Sequence, residues 1–315
     1  MDRRRFLRLA AAAALLGPEA ARAGAPLLAL ATCDLEDRLA VVDVRAGRVL
    51  RTVPCPPDPR SAERVGGGDA LVCHTGAGAV SVVDGRTLEL RHVVGGFEEP
   101  RYAAAHPGGR HAFVTDSGSR ELVSVDLAAG RAAGRVRLEE WARHVTLDER
   151  GSTLWVGLGS ASARVAVVDV SEPGRPRLER LVRPPFLAHD VGFEPGGGRV
   201  WVSSGDRGEL AVYDRRGVRV RLPAGTPPQH VAFAAGRAYV TSGADSTLHV
   251  RSLRDGRVLG RAAVPVGSYN VQAGHGLVLT PSLDSGELSV LDLGGRTLRR
   301  VRVGRSSHDA CFLRS

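Results

Sequence analysis

The sequence predicts an all-β fold, a seven-bladed β-propeller of four-stranded antiparallel blades, and three observations carry that expectation. One phrase, apolar-x-Val-Asp or a near variant, ends at Asp43, Asp84, Asp126, Asp169, Asp214 and Asp292, and a seventh copy has Arg251 where the acid would stand. These positions lie 41, 42, 43, 45, 37 and 41 residues apart, and a period of about forty residues is that of propeller blades. Between them the chain runs in short stretches of β-branched and aromatic residues bounded by Gly, Pro or Asp, the pattern of hairpin strands.

The elements follow in order. Residues 1–23 have a basic start (Arg3, Arg4, Arg5, Arg8), a short apolar stretch from Leu9 to Leu16 and a small-x-small site at Ala21-Arg22-Ala23. That is the pattern of a secretory signal peptide cleaved before Gly24, too short in its apolar part to span a bilayer. Residues 24–315 are then expected to form the propeller, with no transmembrane segment after signal removal. The first strand of this domain, Leu28 to Thr32, reads as the second strand of a blade with no inner strand ahead of it. The C-terminal run His308-Asp309-Ala310-Cys311-Phe312 echoes the inner strand His189-Asp190-Val191-Gly192-Phe193. It is expected to complete blade one and close the ring.

Blade five shows the plan most clearly: an inner strand over 188–193, a second over 199–204, a third over 209–214 and an outer edge over 219–222. Other second strands repeat it, as in Ala112-Phe113-Val114-Thr115 and Leu154-Trp155-Val156-Gly157. Ala238-Tyr239-Val240-Thr241 is nearly the signature of the YVTN family of seven-bladed propellers, which residues 27–315 resemble. Arg3-Arg4-Arg5-Phe6-Leu7-Arg8 likewise resembles the twin-arginine export pattern, with Asp2 where Ser or Thr is usual. Either that route or an ordinary secretory one places the protein outside the cytoplasm, periplasmic or extracellular.

Composition excludes several chemistries. The chain has no Lys, so Schiff-base and Lys-nucleophile mechanisms are absent. Its one Met leaves with the signal, which excludes a copper site with a Met axial ligand. The net charge of +9 falls to about +6 without the signal. The remaining arginines concentrate on outer strands (Arg48, Arg51, Arg135, Arg137, Arg219, Arg221, Arg299, Arg300, Arg302), where charge blocks edge-to-edge pairing. No aromatic stacking platform accompanies them, so nucleic acid is not an expected partner. There is no G-x-S-x-G elbow, H-E-x-x-H or P-loop. The loops at Asp34–Asp37 and Gly243–Ser246 carry calcium-type residues that also suit ordinary turns.

Inner strands line a propeller channel, and their first residues lie at its rim. Aligned repeats place there Arg101-Tyr102, Arg143-His144, His189-Asp190, Gln229-His230, Tyr269-Asn270 and His308-Asp309, with Glu63-Arg64 the blade-two candidate. Adjacent strand residues point to opposite faces, which leaves two alternative sets. His189, His308, Arg101, Arg143, Gln229 and Tyr269 suit an anion. His144, His230, Asp190, Asp309, Tyr102 and Asn270 suit a metal, because imidazole and carboxylate are ligands for transition ions. The candidate metal residues are thus His144, His230, Asp190, Asp309, His189 and His308, and Arg101, Arg143, Gln229, Tyr269 and Asn270 are the candidate ligand rim.

The four cysteines permit disulfides in an exported protein. Cys55–Cys73 is the favoured bridge, with Cys311 a small buried residue and Cys33 beside His308 an alternative soft ligand. Three functions remain: a module binding an unidentified small molecule or extracytoplasmic protein through the channel rim, a metal-dependent enzyme or metallocofactor propeller on the rim histidines, and a lactonase-like hydrolase, since some seven-bladed relatives open lactones. In general plan the rim resembles the centres of nitrous-oxide reductase, the selenium-binding proteins and the d-type haem domain of nitrite reductases, but no motif of theirs is present.

Overall fold

The computed structural model describes residues 26–159, 162–196, 198–214 and 216–313. The expected signal peptide, 1–23, lies outside them. Blade one begins with β1 (Leu28–Cys33), β2 (Arg38–Asp43) and β3 (Arg48–Pro54). Blade two is β4 (Pro59–Arg64), β5 (Ala70–His74), β6 (Ala79–Val83) and β7 (Leu90–Gly95). Blade three is β8 (Pro100–Ala105), β9 (His111–Asp116), β10 (Glu121–Asp126) and β11 (Arg131–Arg137). Blade four is β12 (Val145–Leu147), β13 (Thr153–Gly157), β14 (Val165–Asp169) and β15 (Arg177–Val182). Blade five is β16 (Ala188–Phe193), β17 (Val200–Ser204), β18 (Glu209–Asp214) and β19 (Gly217–Pro223). Blade six is β20 (Val231–Ala234), β21 (Arg237–Ser242), β22 (Thr247–Ser252) and β23 (Val258–Ala263). Blade seven is β24 (Gln272–Gly274), β25 (Leu277–Pro281), β26 (Glu287–Asp292) and β27 (Thr297–Arg302).

The last strand, β28 (Ala310–Phe312), pairs antiparallel with β1 and supplies the inner strand of blade one, in the order β28-β1-β2-β3. The ring is therefore closed by hydrogen bonds between the first and last of the described strands. No described helix is long and apolar enough to cross a membrane.

Every seam between blades has its own core. Strand side chains alternate between faces, so Leu30, Leu39 and Val41 of blade one pack on Ala62, Ala70 and Val72 of blade two. Their neighbours Ala29, Ala31, Ala40 and Val42 face Leu279, Leu288 and Val290 of blade seven. The same division gives cores between blades two and three, three and four, four and five, five and six and six and seven. The outer strands face water; Arg48, Arg51, Arg135, Arg137, Arg219, Arg221, Arg299, Arg300 and Arg302 are all exposed.

The repeated Asp has a local task. It ends the third strand, and its carboxylate accepts hydrogen bonds from the turn that follows: Asp43 Oδ1 from the Arg45 and Ala46 amides, Asp126 Oδ1 from those of Ala128 and Ala129. This is the self-contained turn chemistry of aspartate. In blade six Ser252 takes over part of the role, accepting from the Arg254 amide at 3.2 Å. Arg251 is buried and instead donates to the carbonyls of Gly256 and of Pro223 in blade five. The lost acid thus became a strut to the neighbouring blade.

The four cysteines are free, which corrects the expected Cys55–Cys73 bridge. Cys73 packs into the core between blades two and three, whereas Cys55 packs against the one between blades one and two. Burial pushes the Cys73 thiol up to about 12 and the Cys33 thiol up to about 11. Cys33 spends its Sγ–H on the Val303 carbonyl, 3.4 Å away, so it is not a ligand beside His308.

Removal of residues 306–315 is expected to abolish cooperative melting, because it deletes β28 and opens the ring. A truncated chain that melts cooperatively within a few degrees of the full protein would refute closure by β28. Acid sensitivity has a separate source in His74, the fully buried last residue of β5, with Nε2 2.7 Å from Ser81 Oγ on β6. Burial lowers it from 6.5 to about 4. Between those values the unfolded chain binds a proton that the folded chain refuses, so stability declines as pH falls from about 6.5 to about 4. His74→Gln is expected to flatten that part of the stability–pH curve, measured by urea unfolding.

Candidate metal centre at the channel mouth

The rim pairs share one backbone position in six of the seven blades; in blade seven strand pairing begins one residue later, at Gln272. The residue after each pair sits opposite the second strand in the same register: Ala103↔Val114, Val145↔Val156, Val191↔Val202, Val231↔Val240 and Ala310↔Ala31. In blade two the residue in that register is Ala62, opposite Val72. The rim pair there is therefore Arg60-Ser61, a correction to Glu63-Arg64. The Pro-rich entry, Pro54 to Pro59, hid the register. Glu63 lies further along β4 and lines the channel; enclosure by protein, with Asp309 nearby, raises its carboxyl to about 8. Arg64 is exposed.

The first residue of each pair offers its backbone carbonyl to the preceding blade. His308 Nδ1 of blade one lies 2.9 Å from the Arg60 carbonyl. Ser61 Oγ donates to Arg101 O at 2.6 Å, and Thr115 Oγ1 to Arg143 O at 2.6 Å. His144 Nδ1 donates to His189 O. Ser203 Oγ donates to Gln229 O at 2.7 Å, Thr241 Oγ1 to Tyr269 O, and Asn270 Nδ2 to His308 O at 2.7 Å. Seven seams are crossed by seven such bonds. Three of the donors also accept the amide of the second residue of their own blade's pair: Thr115 from Tyr102, Ser203 from Asp190 and Thr241 from His230.

This ring brings three imidazoles of blades four, five and six together. Ligand nitrogens of His144, His189 and His230 lie within 4.8 Å of one another, the only group of three or more potential metal ligands among the described residues. His144 and His230 are buried and their Nε2 atoms are 3.1 Å apart. The His189 carbonyl can only accept, so His144 carries its proton on Nδ1 and presents a lone pair on Nε2. Burial, then the neighbouring imidazoles and Arg143, hold His144 well below the ordinary histidine range, and the same causes act on His230 with His308 in addition. Burial and Arg143 lower His189 to about 3. All three are neutral imidazoles, the state that binds metal.

The two sequence alternatives thus merge: the cluster takes His189 from one set and His144 and His230 from the other. The two His-Asp pairs share a mechanical task. Asp190 Oδ2 accepts the Val231 amide of blade six at 2.9 Å, and Asp309 Oδ2 the Ala62 amide of blade two at 3.1 Å. Burial raises each carboxyl to about 7. Asp190 also stands 3.7 Å from His230 Nδ1. Asp309 and His308 are outside the histidine cluster, and Asn270 is committed to the His308 carbonyl. Gln229 Oε1 accepts the Gly243 amide at 3.2 Å, and the Tyr269 ring lies where a side chain on Gly243 would be. Tyr102 fills the space between the groups, its ring centre 4.0 Å from that of His144 and 6.3 Å from that of His308.

Sequence reasoning missed Arg60 and Trp141. Arg60 needed the blade-two register; Trp141, two residues before Arg143, needed only notice of a lone aromatic in the loop entering β12. The calcium-type loops are turns, with Asp34 accepting from Ser306 and Asp245 from Thr226 and Thr247.

Ser203→Ala removes the hydroxyl that joins the Asp190 amide to the Gln229 carbonyl. Two buried backbone groups lose a partner, so chemical unfolding is expected to show a loss of roughly 1–3 kcal/mol. A loss below about 0.5 kcal/mol would mean that this seam does not need its bridge.

No protein-family model and no curated protein matches the chain. Solved structures do. Hydrazine synthase of Kuenenia stuttgartiensis superposes with a TM-score of 0.71 at 18% identity, over 82% of this chain and 90% of that one. A functionally unknown protein from Desulfotomaculum acetoxidans DSM 771 gives a TM-score of 0.79 at 11% identity, over 91% and 99% of the two chains. Apo AztD from Citrobacter koseri gives 0.72 at 11% identity, over 92% and 99%. At these identities the likeness is one of fold.

Proposed function

We propose that the protein is an exported binding propeller of the YVTN type whose channel mouth holds a divalent transition-metal ion on His144, His189 and His230. The supporting observation is the convergence of three neutral imidazoles from three successive blades within 4.8 Å. Imidazole nitrogen suits zinc, copper, nickel or iron. Three protein nitrogens leave a further coordination position for a ligand, as in zinc sites that act on or carry a bound molecule. The surroundings support the assignment. His144 is fixed in the tautomer that offers Nε2, and His230 can offer its own Nε2 by keeping its proton on Nδ1, towards Asp190. A carboxylate or carbonyl behind each imidazole is the usual arrangement around a metal.

Purified protein, stripped with chelator and dialysed, is expected to bind close to one equivalent of Zn²⁺ or Co²⁺ by calorimetry. Co²⁺ is expected to give the visible absorption of a low-coordinate nitrogen site. His189→Ala and His230→Ala each remove a ligand without removing a bond of the ring, and each is expected to weaken binding at least tenfold with little change in melting temperature. A folded wild-type protein that binds neither ion at micromolar concentration would refute the reading.

A further inference from the structure

The channel mouth carries a second group of side chains, distinct from the histidines. The first rim residues of blades two, three and four are Arg60, Arg101 and Arg143. Their Nε atoms are buried and have no hydrogen-bond partner among the described residues. Among the described residues one ion pair reaches the group, Glu99, 47% exposed and 3.6 Å from Arg101 Nη2; the carboxylates of Asp190 and Asp309 act on Arg143 and Arg60 only through space. Trp141 backs the group, with the Arg101 guanidinium carbon 4.7 Å and that of Arg143 5.7 Å from its ring centre. Such stacking holds guanidinium planes in place. Tyr102 is only 7% exposed, and its buried hydroxyl, with the Arg143 guanidinium as a neighbour, has no hydrogen-bond partner of good geometry among the described residues. Burial first, then the charge of Arg60, lowers both Arg101 and Arg143 from the usual arginine value, and Arg143 acts on Arg101 in addition.

The fold does not require this. At the first rim position of these three blades the ring uses only the backbone carbonyl, and blades five, six and seven place His189, Gln229 and Tyr269 there without loss of the seam; in blade one alone the side chain, His308, is also a ring donor. Three clustered guanidinium groups with unmet donors cost stability. A bound group that accepts from them would offset that cost.

We propose that Arg60, Arg101, Arg143 and Tyr102 form a binding site for a small molecule carrying two or more negatively charged oxygens, a dicarboxylate or a phosphate. Arginine forks match the paired oxygens of both groups, the Tyr102 hydroxyl supplies a neutral donor, and Trp141 fixes the angle of two of the three forks. The site does not depend on a metal, so its test uses metal-stripped protein.

Calorimetry and thermal melting in low-salt buffer would be run with succinate, with inorganic phosphate and with the neutral control succinamide. Succinate or phosphate is expected to bind and raise the melting temperature, while succinamide does neither; the stronger of the two anions names the ligand class. The variant Arg60→Gln/Arg143→Gln is expected to lose at least tenfold in anion affinity, keep its Zn²⁺ binding, and melt above wild type when no anion is present. Tyr102→Phe, which leaves the arginines in place, is expected to weaken anion binding several-fold without lowering the melting temperature. Wild-type protein that binds neither anion, equal affinity in the double variant, or a double variant that melts below wild type without anion would each overturn the proposal, the last by assigning the arginines a structural role.

Discussion

A propeller is stable only if each blade is held to the next all the way round, and here that constraint is met at one repeated atom. The carbonyl of the first rim residue in each blade accepts a hydrogen bond from the blade before it. The donor chemistry varies: hydroxyls of Ser61, Thr115, Ser203 and Thr241, imidazoles of His144 and His308, and the amide of Asn270. The seam cores supply the larger hydrophobic stabilisation, but they are non-directional. The carbonyl ring sets the blade-to-blade register at the channel mouth, and so decides which side chains meet there.

The division of labour between backbone and side chain has a functional consequence. Because the structural bond at that position is accepted by the carbonyl, the side chain there is free of the ring in every blade but the first, where His308 is itself a donor. Blades two to four use the freedom for Arg60, Arg101 and Arg143. Blade five uses it for His189, which meets two imidazoles of the second rim position. The mouth is therefore lopsided, with cationic forks on one side, neutral nitrogen donors on the other and the Tyr102 ring between. The second position is more constrained. Asp190 and Asp309 spend their carboxylates on amides of the neighbouring blade, and His144 spends Nδ1 on the His189 carbonyl, which leaves Nε2 for other use.

The same His-Asp dipeptide illustrates how far local sequence reaches. His189-Asp190 and His308-Asp309 are alike in sequence, and their aspartates do the same work. Their histidines diverge. His189 stands beside His144 and His230; His308 is drawn to the Arg60 carbonyl and covered by Asn270. Nothing within either dipeptide distinguishes them, because the difference lies in neighbouring blades, 38 or more residues away.

Periodicity by itself determined the architecture of this protein. Seven copies of one strand-and-turn phrase, each able to bury its faces only against a copy of itself, admit a closed ring, and the echo of blade five in residues 308–312 indicates where it closes. The residue types at the channel rim were legible for the same reason, except in blade two, where a proline-rich entry shifted the apparent register from Arg60 to Glu63. Tertiary structure alone decided which of those residues share a site. Alternation along one strand sorts side chains by face, but the histidine cluster mixes both sorts, because it forms across three blades whose strands converge on the channel axis. It also decided that Cys55 and Cys73 stay apart, since each packs into a different seam. Convergence of that kind is a property of distances between blades, which a one-dimensional repeat does not encode.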